Sequence, residues 1–168
     1  VARYSPQKDH VNLLNAFKVF VQRNDRTKLI LIGNDMIPTN KKLCDVVSEL
    51  KLTEQVILAG QFDNIVPAMN GLDIHVLSSA FGEAFPNVLC EALACETICV
   101  STNVGDSRTI IDDQRLICEP KNHQTLCNAM QMALSLDTPK YKKAARSRIV
   151  EDYSVQKMVE NYSKVWFG

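Results

Sequence analysis

The sequence predicts a doubly wound α/β domain: a Rossmann-like parallel sheet with helices on both faces and a helical C-terminal extension. Three observations carry that prediction. Short apolar runs such as Lys28-Leu-Ile-Leu-Ile32 and Asp73-Ile-His-Val-Leu77 alternate with segments of helical period. Those runs are apolar throughout rather than at every second residue, as in strands buried on both faces. The 168 residues, 46% hydrophobic and 23% charged, suit one domain large enough to hold a core.

The elements follow in order. Val1-Ala2-Arg3 reads as the end of a strand begun upstream, so residues 1–168 are expected to be one domain excised from a longer, two-domain protein. A helix over about 9–23 places Leu13, Leu14, Phe17, Phe20 and Val21 on one face. The strand at 28–32 closes at Gly33-Asn34-Asp35, a turn signal. A helix over about 40–50, a short strand at 56–59 ending at Gly60, and one or two helical turns at 65–69 come next. The strand at 73–77 runs into a loop at 78–85, and a helix over 86–95 takes Pro86 in its first turn. Strands at 98–100 and 115–118 flank a brief helix at 107–111. Three helical stripes follow Pro120, the last of them Val155, Met158, Val159, Tyr162 and Trp166, read as a packing face.

Composition excludes several classes. Nineteen Lys and Arg balance nineteen Asp and Glu, so the chain lacks the electrostatic footprint of a nucleic-acid binder. No apolar run is long enough to span a bilayer. The six cysteines, Cys44, Cys90, Cys95, Cys99, Cys118 and Cys127, lie in apolar segments without a C-x-x-C pair. They read as small buried hydrophobes in a reducing, cytoplasmic compartment, with neither zinc-ligand spacing nor an activating base. His75 reads as a satisfied core histidine, His10 as a helix-start residue and His123 as solvated. Ser5-Pro6-Gln7 stands where a dinucleotide-dependent oxidoreductase would carry G-x-G-x-x-G, which argues against that class.

In a sheet of this kind ligands sit at the carboxyl ends of the strands, where the loops after Arg3, Ile32, Ala59 and Leu77 gather. The richest stretch is Gly82-Glu83-Ala84-Phe85-Pro86-Asn87-Val88-Leu89-Cys90-Glu91. A helix starting near Pro86 points free N–H groups and a positive dipole end at that edge, which makes a phosphate site. Glu83 and Glu91 flank it, spaced for hydroxyls on either side of a phosphate. A plainer reading stays open here: Glu83 caps the helix and Glu91 is solvated. Arg3 and Lys8 bracket the first strand–helix turn and offer two cations to a diphosphate. That pair, too, reads equally as two solvated side chains.

Four stretches in register resemble the C-terminal half of retaining GT-B glycosyltransferases of the group-1 family. They are V-A-R-Y-S-P-Q-K-D-H-x-x-L-L-x-A-F, L-I-L-I-G, G-E-A-F-P-N-V-L-C-E-A-L-A-C and A-R-S-R-I-V-E-D-Y-S. Glu83 and Glu91 match the family's E-x(7)-E pair. The resemblance implies a nucleotide-sugar donor domain, with a UDP-sugar favoured and Arg3, Lys8 and Glu83 as the catalytic set. Arg3 and Lys8 would hold the diphosphate, and the backbone of Ala84, Phe85, Pro86, Asn87 and Val88 its distal phosphate. Glu83 would meet the sugar hydroxyls and Glu91 the ribose. Gly33 would let the backbone approach the ligand, and the loop at 60–65 would pass the base. It also implies retention at the anomeric carbon, no metal or other cofactor, and a glycan or lipid-linked acceptor held by an N-terminal domain. That points to bacterial surface polysaccharide synthesis at the inner face of the cytoplasmic membrane, with the isolated domain inactive. A non-catalytic nucleotide- or partner-binding module of the same fold is the alternative. The chain departs from the family at Ala2, Asp9, Ala84, Glu96, Asp106 and Thr109, several of which stand where glycine is usual.

Overall fold

The computed structural model describes residues 1–167. Its thirteen main elements are α1 (His10–Val21), β1 (Leu29–Ile32), α2 (Lys41–Glu49), β2 (Val56–Gly60), α3 (Val66–Asn70), β3 (Ile74–Leu77), α4 (Asn87–Ala94), β4 (Ile98–Thr102), α5 (Ser107–Ile111), β5 (Ile117–Cys118), α6 (His123–Leu136), α7 (Pro139–Tyr153) and α8 (Val155–Phe167). Every strand pairing is parallel: β1 with β2, and β3 with β4 with β5. This is the α/β, Rossmann-like architecture the apolar strands predict.

Two details differ from the sequence expectation. The strands form two ladders rather than one continuous sheet, and Val1–Arg3 is not a strand. Only alternate amides of this segment bond to the β1 side, Ala2 N–H to the Ile32 carbonyl and Tyr4 N–H to the Asn34 carbonyl, each at 2.9 Å. Val1 and Ala2 thus sit between the carboxyl ends of β1 and β3, beside Leu31, Ile32, Val76 and Leu77. Further down, the space between the ladders widens into a cavity of about 520 Å³ lined by Phe17, Phe20, Ile30 and Ile74 among others.

The core has two layers of helix. On one side α1 packs on α6, and α6 on β4. Leu14, Phe17 and Phe20 of α1 and Leu126, Met130 and Ala133 of α6 are buried there. On the other side α4 carries Leu89, Ala92 and Leu93 inward and is covered by α7. Each such side chain withdrawn from water contributes roughly 1.5–3 kcal/mol, which is why the helical stripes read so directly from the sequence. The last stripe is the exception. Val155, Met158, Val159, Tyr162 and Trp166 of α8 are all at least half exposed, and Tyr162 and Trp166 stack on each other with ring centroids 5.5 Å apart.

Two of the positions where the sequence departs from the family, Asp9 and Glu96, have a glycine-like backbone. Asp9 has φ 46 and accepts the Asn12 N–H as the cap of α1. Asp tolerates this left-handed region better than most residues do. Glu96 has φ 59 just beyond α4, where its N–H bonds the Leu93 carbonyl and the Thr97 N–H bonds the Ala92 carbonyl. That is the Schellman pattern, normally closed by glycine.

Candidate functional site

Residues 5–8 form a short 3₁₀ turn before α1, with Ser5 preceding Pro6–Lys8. The loop from Ser78 to Val88 leaves β3 and enters α4 directly opposite. The two segments are clamped together by backbone and side-chain bonds. Ala80 N–H donates to the Gln7 carbonyl at 2.8 Å, Gln7 Nε2 to the Gly82 carbonyl at 2.9 Å, and Ser78 Oγ to the Lys8 carbonyl at 2.8 Å. Within that clamp, Lys8 Nζ donates to Glu83 Oε1 at 2.5 Å. The two side chains are only 17% and 9% exposed, so this pair is far better shielded than a surface ion pair. Ser79 Oγ donates to the same Glu83 oxygen at 2.6 Å.

Glu83 therefore does not cap α4; its carboxylate turns back to β3 and Lys8, and that plainer sequence reading is overturned. The cap position is Pro86, which lies one residue before the helix rather than in its first turn and makes no side-chain cap. Leu89 N–H bonds the Pro86 carbonyl at 3.0 Å. Asn87 and Val88 open the helix with N–H groups that no preceding turn can satisfy, an arrangement suited to an anion.

The surrounding loop is held by glycines. Gly82 has φ 74 and Gly105 φ 53. A Cβ on Gly105 would stand 2.3 Å from the Ala84 carbonyl oxygen and 2.5 Å from that of Glu83. Close approach of the two loops, sealed by the Asp106 N–H on the Ala84 carbonyl at 2.8 Å, thus requires this residue. Phe85 is exposed on one side and stacks on Tyr153 of α7 on the other, centroids 5.6 Å apart.

The remaining predicted residues stand apart. Arg3 is exposed between the alternate bonds that Ala2 and Tyr4 make to the β1 side, and belongs to none of the ion pairs found among the described residues. Glu91 is exposed on the outer face of α4. No hydrogen bond joins either to the Lys8–Glu83 pair among the described residues. Gly33 also has a structural role in its own right. A Cβ there would meet the Ala2 carbonyl oxygen at 2.2 Å, so its missing side chain admits the backbone of Ala2.

Other titratable groups contribute no chemistry here. His75 is buried, as expected, but both ring nitrogens lack hydrogen-bond partners among the described residues, and burial holds its pKa well below the ordinary value. His10 is buried against Tyr4, and burial, reinforced by the N-terminal ammonium and Lys8, lowers its pKa to about 4. Cys99, Cys118 and Cys127 are buried as expected, whereas Cys44, Cys90 and Cys95 are only half-buried. Burial pushes the Cys90 thiol up to about 11 and Cys118 to about 12, away from the reactive thiolate. Among the described residues no group of three or more His, Cys, Asp or Glu is placed to hold a metal ion. No helix among them is long and apolar enough to cross a membrane.

Sequence reasoning missed Gln7, Ser79 and Gly105 as parts of the site. Gly105 carried a visible signal, a glycine beyond a buried strand. Ser79 and Gln7 carried none, because their importance depends on contacts 4 and 75 residues away.

The fold and this edge define a Rossmann-like α/β domain with a cation, a carboxylate and an open helix start at its strand ends. Residues 1–149 match the family described as "Glycosyl transferases group 1". The chain belongs to that family, and its fold is that of a GT-B glycosyltransferase C-terminal domain. It is 25% identical over 171 residues to the N-acetyl-alpha-D-glucosaminyl L-malate synthase of Bacillus anthracis, covering 99% of this chain and 44% of that protein. It is 28% identical over 153 residues to the N-acetylgalactosamine-N,N'-diacetylbacillosaminyl-diphospho-undecaprenol 4-alpha-N-acetylgalactosaminyltransferase of Campylobacter jejuni, covering 88% of this chain and 40% of that protein. Among solved structures, Anabaena Alr3699/HepE in complex with UDP superimposes with a TM-score of 0.83 at 22% identity, over 97% of this chain and 47% of that one. The chain thus spans less than half the length of each of these proteins.

Proposed function

We propose that this chain is the donor-binding half of a retaining, metal-independent glycosyltransferase that takes its sugar from a UDP-sugar. The observation that carries the reading is the clamp between residues 5–8 and 78–88. It holds an ammonium, a carboxylate and an open helix start at one edge of the sheet, the chemistry a sugar diphosphate needs. The Anabaena structure, whose complex contains UDP, supports the choice of base. The names of the Bacillus and Campylobacter proteins support a hexosamine as the sugar.

On this reading, Lys8 spends one of its three N–H donors on Glu83 and keeps two for the diphosphate. Arg3 supplies the uncompensated cation, and the Asn87 and Val88 N–H groups take the distal phosphate. Negative charge grows on that phosphate as the bond to the anomeric carbon breaks, and these fixed donors stabilise it without a metal. The departing phosphate accepts the acceptor's proton on the same face, which gives retention without a protein nucleophile. Glu83 presents its second oxygen to the sugar hydroxyls, and Glu91 binds the ribose. A glycan or lipid-linked acceptor would come from a second domain, in bacterial surface polysaccharide synthesis on the cytoplasmic side of the membrane. The 168-residue chain alone would bind donor and transfer nothing.

Titrating this chain with UDP, GDP, ADP and UDP-sugars, followed by amide chemical shifts, tests the assignment. Shifts centred on Arg3, Lys8 and residues 83–91 are expected with uridine nucleotides. Binding of none of them at millimolar concentration rejects the reading, and sugar transfer by the chain alone rejects its status as half an enzyme.

A further inference from the structure

We propose that Ser79 is the positioning residue that turns Glu83 toward the donor sugar, an inference that rests on the donor-site reading above. Ser79 is the second residue beyond the end of β3 and is completely buried. A buried hydroxyl must be paired, and this one donates to Glu83 Oε1 at 2.6 Å. Its own carbonyl accepts the Thr102 hydroxyl at 2.6 Å, which ties it to the end of β4. Thr102 is itself fully buried. The line from the sheet to the carboxylate is therefore Thr102, Ser79, Glu83, with every link a short hydrogen bond.

The consequence lies in how the two carboxylate oxygens divide their work. Oε1 accepts from both Lys8 Nζ and Ser79 Oγ. Oε2 accepts from no described residue. Lys8 alone cannot fix this division. An ammonium is a rotating point donor on a flexible stem and tolerates the carboxylate in several orientations. The serine hydroxyl, held by a buried backbone, approaches from a fixed direction. With both donors on one oxygen, the carboxylate plane is set and the other oxygen faces out with its acceptor sites intact. A carboxylate so oriented accepts two neighbouring hydroxyls of a sugar without first reorganising, which is the advantage of a preorganised site.

The prediction separates sugar recognition from nucleotide recognition. In the ligand-free chain, Glu83 with ¹³C-labelled side chain is expected to show one side-chain state, and Ser79→Ala is expected to average it. With ligand, wild type binds a UDP-hexosamine more tightly than UDP. Ser79→Ala lowers that preference about fivefold, a lost hydrogen bond to a charged group, and leaves UDP affinity within about twofold. Ser78→Ala removes an equally buried hydroxyl that bonds only the Lys8 carbonyl and serves as the comparison. Unchanged Glu83 signals in Ser79→Ala overturn the proposal. So does an equal loss of UDP and UDP-sugar affinity, or a loss of sugar preference just as large in Ser78→Ala. If wild type binds no nucleotide, the donor-site reading fails, and the ligand-free signals still decide whether Ser79 orients Glu83.

Discussion

Glu83 and Glu91 belong to one sequence motif, yet the structure treats them as opposites. Glu83 is inside a clamp, its carboxylate 9% exposed and gripped by Lys8 and Ser79. Glu91 stands on the outer face of α4, exposed and without a partner among the described residues. One carboxylate is built into the scaffold before any ligand arrives; the other waits in water. The difference teaches that two carboxylates of one motif would engage a ligand at different cost. On the proposed donor-site reading, binding at Glu83 would draw on order already present, whereas binding at Glu91 would have to order a free side chain.

The largest effect should come from breaking the support beneath Glu83. Gly105→Ala forces a methyl group against the Ala84 and Glu83 carbonyls at distances no Cβ tolerates, and at a left-handed φ besides. We expect a loss of about 3 kcal/mol in chemical denaturation, with UDP binding weakened more than tenfold, because the loop must move away. Wild-type stability in this variant would mean that the two loops are not tightly joined.

Lys8 comes next. Removing it takes a cation from the diphosphate and also leaves the shielded Glu83 carboxylate unpaired. Lys8→Ala should therefore cost about 2–3 kcal/mol of stability and about tenfold in UDP affinity. Neutralising the orphan in Lys8→Ala/Glu83→Gln should recover at least half of the stability loss. A double variant no more stable than Lys8→Ala would show that the pair contributes little. The equivalent change at Arg3, which compensates nothing, should lower UDP affinity and leave stability where it was.

Acid should strike the same side of the comparison. His10 directly follows the Lys8 turn and His75 lies in β3, which leads into the Glu83 loop. Both have depressed folded-state pKa values because burial opposes the charged ring. Below the ordinary histidine value of 6.5 the unfolded chain takes up a proton that the native chain refuses. Stability is thus complete above about pH 6.5 and falls as the pH drops toward 4. For His10 alone the loss between pH 7 and 5 is about 2 kcal/mol. Melting temperatures measured at pH 7.5, 6 and 5 check this, and His10→Gln should flatten the curve. A profile that does not fall between pH 7 and 5 would contradict it.

Glu91 gives the clean counter-case. Glu91→Ala should leave stability within about 0.5 kcal/mol, as expected for an exposed helix residue. If it meets the ribose, the variant should lose about fivefold in UDP affinity and bind UDP and 2′-deoxy-UDP equally. Retained discrimination between these two nucleotides would remove Glu91 from the site.

The sequence displays the positions of the helices and strands well, because burial leaves a record in residue type and period, but not the division of the strands into two ladders. Leu14, Phe17 and Phe20 declare α1, and the unbroken apolar run at 29–32 declares a strand, although Ile30 is left exposed on one side. Lys8, Glu83 and the helix start could be named from residue type and spacing. What could not be read is which groups hold them. The pairing of Lys8 with Glu83 spans 75 residues, and Ser79 earns its importance only from a neighbour it meets in space. Gly33 carries a contact that residue type did not announce: a glycine at a strand end suggests a close approach, and one close neighbour is the backbone of Ala2. Nor does periodicity tell what a stripe packs on. The apolar face of α8 is as regular as that of α1, yet its side chains are exposed.

The smallest predicted effect concerns the far end of the helix that bears Glu91. Its last turn closes through Glu96 at φ 59, with the Thr97 and Glu96 amides bonded back to Ala92 and Leu93. Every contact of the motif is present, but the residue at its turning point carries a Cβ in a region that disfavours one. The side chain is half-buried and makes no hydrogen bond among the described residues that glycine would forfeit. Glu96→Gly relieves the strain in the native state and loosens the unfolded chain, and the two effects oppose each other. Because a left-handed conformation costs roughly 1–2 kcal/mol for an ordinary residue, relief should win by about 0.7 kcal/mol. That corresponds to a rise of about 2 °C in melting temperature for a chain of this length. Nucleotide affinity should not change, since the proposed donor site lies at the other end of α4. A fall in melting temperature would mean that Glu96 contributes contacts that outweigh its backbone strain.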